Sequence, residues 1–105
     1  MTTAPDNDTL YWRNVPGMDK ELTTGEVLKA FRKCEGLTLK QLGQRLGISH
    51  QLISTYERGE ALPSLEQASK LAVALGLAPD SLVHHVVKDQ LKRAGLNWRD
   101  YLKSA

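Results

Sequence analysis

The chain has 105 residues, of which 41% are hydrophobic and 25% charged, with a formal net charge of +2. This make-up suits one soluble domain with tails, and the charge alone is a weak argument for a nucleic-acid partner. There is no apolar run of about eighteen residues for a membrane span, the N-terminus lacks the basic and apolar regions of a signal peptide, and a lone cysteine excludes an internal disulfide and fits a reducing cytoplasm.

Residues 1–21 read as a flexible arm. MTTAPDND is polar and aperiodic, the composition of a disordered segment. Leu10, Tyr11, Trp12 and Val15 then form an apolar cluster, with the domain itself or a second subunit as its cover. A first helix is expected from Thr23, where Glu26 completes a capping box and Leu22 and Val27 form a hydrophobic staple. Val27, Leu28, Phe31 and Cys34 face inward, with Cys34 as a small buried hydrophobe, and Gly36 ends the helix.

Residues 38–59, TLKQLGQRLGISHQLISTYERG, carry the most information. Thr38 has Gln41 three residues on, and Leu37 can staple to Leu42, so a second helix starts there. Leu39, Leu42 and Leu46 give it one apolar stripe. Gly47 supplies the left-handed residue after its end. Ser49 caps the third helix, whose buried side is Leu52, Ile53 and Tyr56 and whose other face is polar. Gly43 sits in the middle of the second helix, at a cost of about 0.8–1.0 kcal/mol against alanine. Close approach of the two helices compensates for it. Two short helices joined by a tight glycine turn, the second with a polar outer face, form the pattern of a helix-turn-helix, which places one helix in the DNA major groove.

A fourth helix is expected from Ser64, with Gln67 as box partner, to Gly76, with Leu65, Ala68, Leu71, Ala72 and Leu75 as its core stripe. Pro79 opens the fifth at its first position, with Asp80 beside it near the positive end of the helix dipole. This helix runs to about Ala94, with Leu82, Val83, Val86, Val87 and Leu91 as its apolar stripe, and Gly95 stops it. Asn97 reads as a further N-cap, with Asp100 three residues on and a Leu96–Tyr101 staple. Val83, Val86, Val87 and Leu91, with Trp98, Tyr101 and Leu102, leave an apolar surface that needs cover. A homodimer interface supplies it, or the tail folds back on its own core. Lys88, Lys92, Arg93, Arg99 and Lys103 make the C-terminus basic against Asp89 and Asp100. That cluster is either a solvated face or a phosphate contact.

No strand pattern occurs. The expected fold is all-α, with a flexible arm over 1–21, a DNA-binding unit over 22–83 and a helical C-terminal extension over 84–105. His84 and His85 are adjacent and point to different sides of a helix, so no metal site is expected. No nucleophile–base pair, phosphate loop or paired-carboxylate spacing stands out, so no enzyme and no cofactor are expected.

Residues 25–83 resemble the Cro/C1-type helix-turn-helix domain of the Xre family, which includes many phage repressors. The resemblance rests on Arg32, Gly36-Leu37-Thr38, Leu42-Gly43, Gly47-Ile48-Ser49, Ile53-Ser54, Tyr56-Glu57-Arg58-Gly59, Pro63-Ser64 and Leu71 through Leu75. It implies a five-helix, lambda-repressor-like fold and a dimeric repressor that binds double-stranded DNA in the cytoplasm, at the nucleoid. His50, Gln51 and Thr55 would then face base edges. Thr38, Lys40, Ser49, Ser54 and Arg58 would face the phosphate backbone, with residues 59–62 alongside, while Arg45 is solvated. Arg32 and Glu57 would pair beneath the surface. One departure is Leu39, which stands where such domains usually carry a glutamine that braces the recognition helix against a phosphate. The alternative function is an antitoxin or protein-binding module that neutralises a partner through the arm or the tail and regulates its own operon.

Overall fold

The computed structural model describes residues 22–97 and 99–100. Among the described residues, five helices have their bounds defined: α1 (Thr24–Cys34), α2 (Leu39–Leu46), α3 (His50–Glu57), α4 (Leu65–Ala74) and α5 (Ser81–Arg93). The described residues are all-α, as the patterning requires.

Local chemistry sets the helix starts. Thr23 and Thr38 each accept a hydrogen bond from the N–H three residues on, at 3.1 Å in both cases. Glu26 and Gln41 return the bond to the cap N–H, at 3.0 and 2.8 Å. Ser49 and Ser64 cap α3 and α4 through Leu52 and Gln67. Each cap satisfies an N–H that has no partner inside its helix. At the other end of α2, Gly47 adopts φ 69°, the left-handed conformation that side chains other than glycine seldom enter. The start of α5 differs from expectation. Pro79 and Asp80 lie in a turn closed by the Ser81 N–H on the Ala78 carbonyl at 3.0 Å, so the helix begins at Ser81.

The principal helix contacts form a closed circuit: α1 on α3, α3 on α2, α2 on α4, α4 on α5, and α5 back on α1. Val27, Leu28, Leu42, Ile53, Tyr56, Ala68, Leu71, Ala72, Leu75, Leu82 and Val86 fill its centre. The helix-turn-helix pair therefore occupies one part of a ring that α5 closes.

Several expected positions are corrected. Cys34 is exposed at the end of α1, beyond the reach of the core. Leu65 and Leu52 are 45% and 36% exposed, so neither is a core residue. Val86, expected on a dimer surface, is fully buried in its own chain's core. Val83, Val87 and Leu91 are half-buried. Trp98, Tyr101 and Leu102 lie outside the described residues, as do the arm and its apolar cluster. The expected boundary between residues 83 and 84 falls inside α5, whose inward face continues through His85, Lys88 and Asp89.

Candidate nucleic-acid interface

The relation between α2 and α3 is fixed by backbone approach. A Cβ on Gly43 would lie 2.6 Å from the Ile48 carbonyl oxygen, inside any real contact distance. The Ile48 N–H in turn donates to the Gly43 carbonyl at 3.0 Å. Ile53 and Tyr56 anchor α3 inward. A second close approach, which no expectation from the sequence covers, is at Gly25. A Cβ on Gly25 would clash with the Tyr56 carbonyl and lie 2.5 Å from that of Glu57. The first turn of α1 thus packs directly on the end of α3. The sequence signal was a glycine in the first turn of an otherwise well-capped helix.

Arg32 holds the same junction from the side. Its Nε lies 2.6 Å and its Nη2 3.0 Å from the two carboxylate oxygens of Glu57, and its Nη1 donates to the Leu37 carbonyl at 2.7 Å. Both side chains are about nine-tenths buried. The hydrogen bonds that Arg32 donates to Glu57 raise the Arg32 pKa above its ordinary range, against the effect of burial. This fork ties α1 and the start of α2 to the end of α3.

So held, α3 turns His50 and Gln51 to solvent at its N-terminal end. Thr55 follows one turn later, half-buried, and its hydroxyl donates to the Gln51 carbonyl at 2.9 Å. Of the expected phosphate-facing residues, Thr38, Lys40, Ser49 and Arg58 are exposed and Ser54 is half-buried. Thr38 and Ser49 already accept cap hydrogen bonds through their hydroxyls. Leu39 packs against the core from the first position of α2. The leucine therefore contributes apolar burial where a glutamine would present a polar end.

Arg58 is engaged within the chain. It makes a forked pair with Glu60, at 2.9 and 3.0 Å, and donates to the Ser54 hydroxyl. Hydrogen bonding across the pair raises the Arg58 pKa and lowers that of Glu60. Arg45 donates to the Ala74 carbonyl at the end of α4, at 3.2 Å. The C-terminal basic cluster separates. Lys88 is fully buried, donating to the Leu22 carbonyl, whereas Arg93 is exposed and donates to the Gly59 carbonyl at 2.9 Å. Among the described residues, no group of His, Cys, Asp and Glu is placed to hold a metal ion. No helix among them is long and apolar enough to cross a membrane.

The profile of the helix-turn-helix family matches residues 28–82, just over half of the chain. The chain belongs to the helix-turn-helix family. Within it, the arrangement is of the Xre or Cro/C1 type. Among relatives, the uncharacterized HTH-type transcriptional regulator YonR, derived from the SPbeta prophage of Bacillus subtilis, is 37% identical over 59 residues, covering 56% of this chain and 55% of that protein. Endothelial differentiation-related factor 1 of Homo sapiens is 36% identical over 56 residues, covering 53% and 38%. A Thermococcus kodakarensis protein named as an HTH-type transcriptional regulatory protein is 29% identical over 91 residues, covering 69% and 29%. The chain thus spans about half or less of the length of these relatives. No solved structure matches it.

Proposed function

We propose that the chain is a sequence-specific, DNA-binding transcriptional regulator that acts as a dimeric repressor. The observation that carries this reading is α3 itself. Its apolar side is locked by Ile53, Tyr56 and the two glycine approaches, and its first turn offers His50 and Gln51 to solvent. An amide at such a position can make paired hydrogen bonds to adenine, an imidazole can donate to guanine, and the Thr55 methyl can meet the methyl of thymine. Lys40, beside the first-turn N–H groups of α2, suits a phosphate. Thr38, Ser49, Ser54 and Arg58 are the further residues proposed to meet the phosphate backbone. Transcriptional regulation also appears in the name of the Bacillus subtilis relative.

A single recognition helix reads only a few base pairs, and two helices about 34 Å apart read successive turns of the major groove. The half-buried apolar residues Val83, Val87 and Leu91 on α5 are the described part of the surface proposed for pairing two copies. Selection of bound duplexes from a random pool tests both parts of the proposal. The expected result is one enriched near-palindromic site with half-sites roughly 10 base pairs apart. A pool that shows no enrichment removes the regulator. An enriched site with a single, unrepeated core removes the dimer.

A further inference from the structure

The turn that follows α3 borders the proposed DNA surface, yet its own arginine offers little net charge there. Arg58 meets both carboxylate oxygens of Glu60 and also the Ser54 hydroxyl. A forked guanidinium–carboxylate pair presents close to zero net charge to a third group. The cation that stands beside this turn without being part of it comes from the last turn of α5. Arg93 donates through Nη2 to the Gly59 carbonyl at 2.9 Å. Gly59 has φ 74° and is followed by the Glu60 N–H bonded to the Thr55 carbonyl at 3.1 Å. The turn is therefore fixed to α3 on one side and to α5 on the other. One bond to a carbonyl uses only part of the five-donor guanidinium fork. The side chain is exposed, and residue 93 lies outside the segment 28–82 matched by the family.

We propose that Arg93 is a phosphate-binding residue of this chain: it docks on the Gly59 carbonyl and presents its remaining N–H donors to the DNA backbone beside the end of the recognition helix. The proposal rests on the DNA-binding reading above. It gives α5 a second role, because the helix that closes the core also carries a charge to the DNA face. The contact carries no sequence information and adds to affinity for any duplex.

The test is a titration of the full chain with two duplexes, the one enriched from the random pool and one of mixed sequence, between 50 and 200 mM salt. One phosphate contact changes affinity by roughly threefold over that fourfold range of salt. Arg93→Ala is expected to weaken both duplexes by the same factor at low salt. It should also make the slope of log affinity against log salt shallower by about one. Arg93→Lys keeps the charge and should restore the slope. Matching thermal melts of the three proteins show that the fold is common to them. Unchanged affinity and slope in Arg93→Ala overturns the proposal. So does weaker binding with an unchanged slope, which marks Arg93 as a brace for the turn only. In both cases the wild-type chain still binds DNA and the functional reading stands. A wild-type chain that binds neither duplex overturns that reading and this proposal together.

Discussion

The Asp89 carboxylate meets both donors of Thr24. One oxygen, Oδ2, lies 2.7 Å from the Thr24 backbone nitrogen and 2.7 Å from its hydroxyl, across 65 residues of sequence. Thr24 is the first residue of α1, so its N–H lacks a partner within the helix, and the helix dipole favours a negative charge there. Lys88, the neighbour of Asp89, donates to the Leu22 carbonyl one step outside the cap. Two adjacent polar residues of α5 thus satisfy the backbone where α1 begins. Because Asp89 and Thr24 are both buried, water cannot replace the lost bonds. Asp89→Ala should cost roughly 1.5–3 kcal/mol, the range for a hydrogen bond to a charged group. Urea denaturation measures it, and a loss below about 0.5 kcal/mol would refute this account of the junction.

Arg32 and Glu57 behave as a unit. Removing one member of a buried pair strands the other charge, at a cost of about 3–5 kcal/mol, whereas replacing both with apolar residues of similar size is often close to neutral. Arg32→Ala should therefore be strongly destabilising. The double substitution Arg32→Met with Glu57→Leu should be less so than either single change. Additive losses in this cycle would show that the two side chains contribute independently, contrary to their geometry.

Gly25 and Gly43 should both resist alanine. Helix propensity alone favours alanine by about 1 kcal/mol. At each site, however, the new Cβ would meet a carbonyl oxygen of the backbone, which cannot rotate aside as a side-chain tip can. Forced overpacking of this kind costs typically about 1–3 kcal/mol. Both variants are expected to melt below the wild type, and Gly43→Ala should also weaken DNA binding by displacing α3 from α2. A variant that gains stability would mean that the helices separate freely.

The elements that were legible in the sequence are those set by neighbours in the chain. The caps at Thr23, Thr38, Ser49 and Ser64 depend on residues three positions away, and all four accept the expected backbone N–H. The Gly43 approach could be read because a glycine in the middle of a good helix needs a reason. Periodicity named the inward side of each helix but not how far its neighbours extend. For that reason Cys34 and Leu65, at the ends of their stripes, are exposed although the stripe points inward. The polar side of α5 was illegible for a different reason. Asp89, Lys88 and Arg93 find partners 65, 66 and 34 residues away, and no local pattern marks such contacts. At the candidate site, the outward face of α3 was readable as the complement of its apolar side. The pairing of Arg58 with Glu60 was not, because two residues separated by a glycine turn meet only in the turn's own conformation, which helix periodicity does not specify.

Glu26 gives a signed pH dependence. Hydrogen bonds from Thr23, chiefly from its backbone N–H, hold the carboxyl below its ordinary value of 4.5. A lowered folded pKa means stability that is present above the ordinary carboxylate range and is lost as pH falls through the lowered value. Glu26→Gln can keep the capping box while removing the titration. Denaturation midpoints should show the wild type slightly more stable at pH 7, with the gap closing as pH falls below the ordinary value of 4.5 and through the lowered one. A gap that is constant from pH 7 to pH 3 would mean that the cap does not depend on ionisation.

Gln51 and Lys40 should separate specificity from general affinity. Both are exposed on the motif, Gln51 on the first turn of α3 and Lys40 on the first turn of α2. A side chain that makes paired bonds to one base acts only where that base is present. Gln51→Ala should cost about 1–3 kcal/mol on the enriched duplex, and the preference should relax at one or two adjoining positions. A lysine on a phosphate acts on every sequence. Lys40→Ala should weaken enriched and mixed duplexes equally and reduce the salt slope by about one. Binding isotherms on duplexes substituted one base pair at a time distinguish the two patterns. If Gln51→Ala instead weakens every duplex equally, the glutamine touches the backbone and the base reading must come from other residues on α3. If it changes nothing, the first turn of α3 lies outside the groove, and the docking orientation proposed for this helix is wrong.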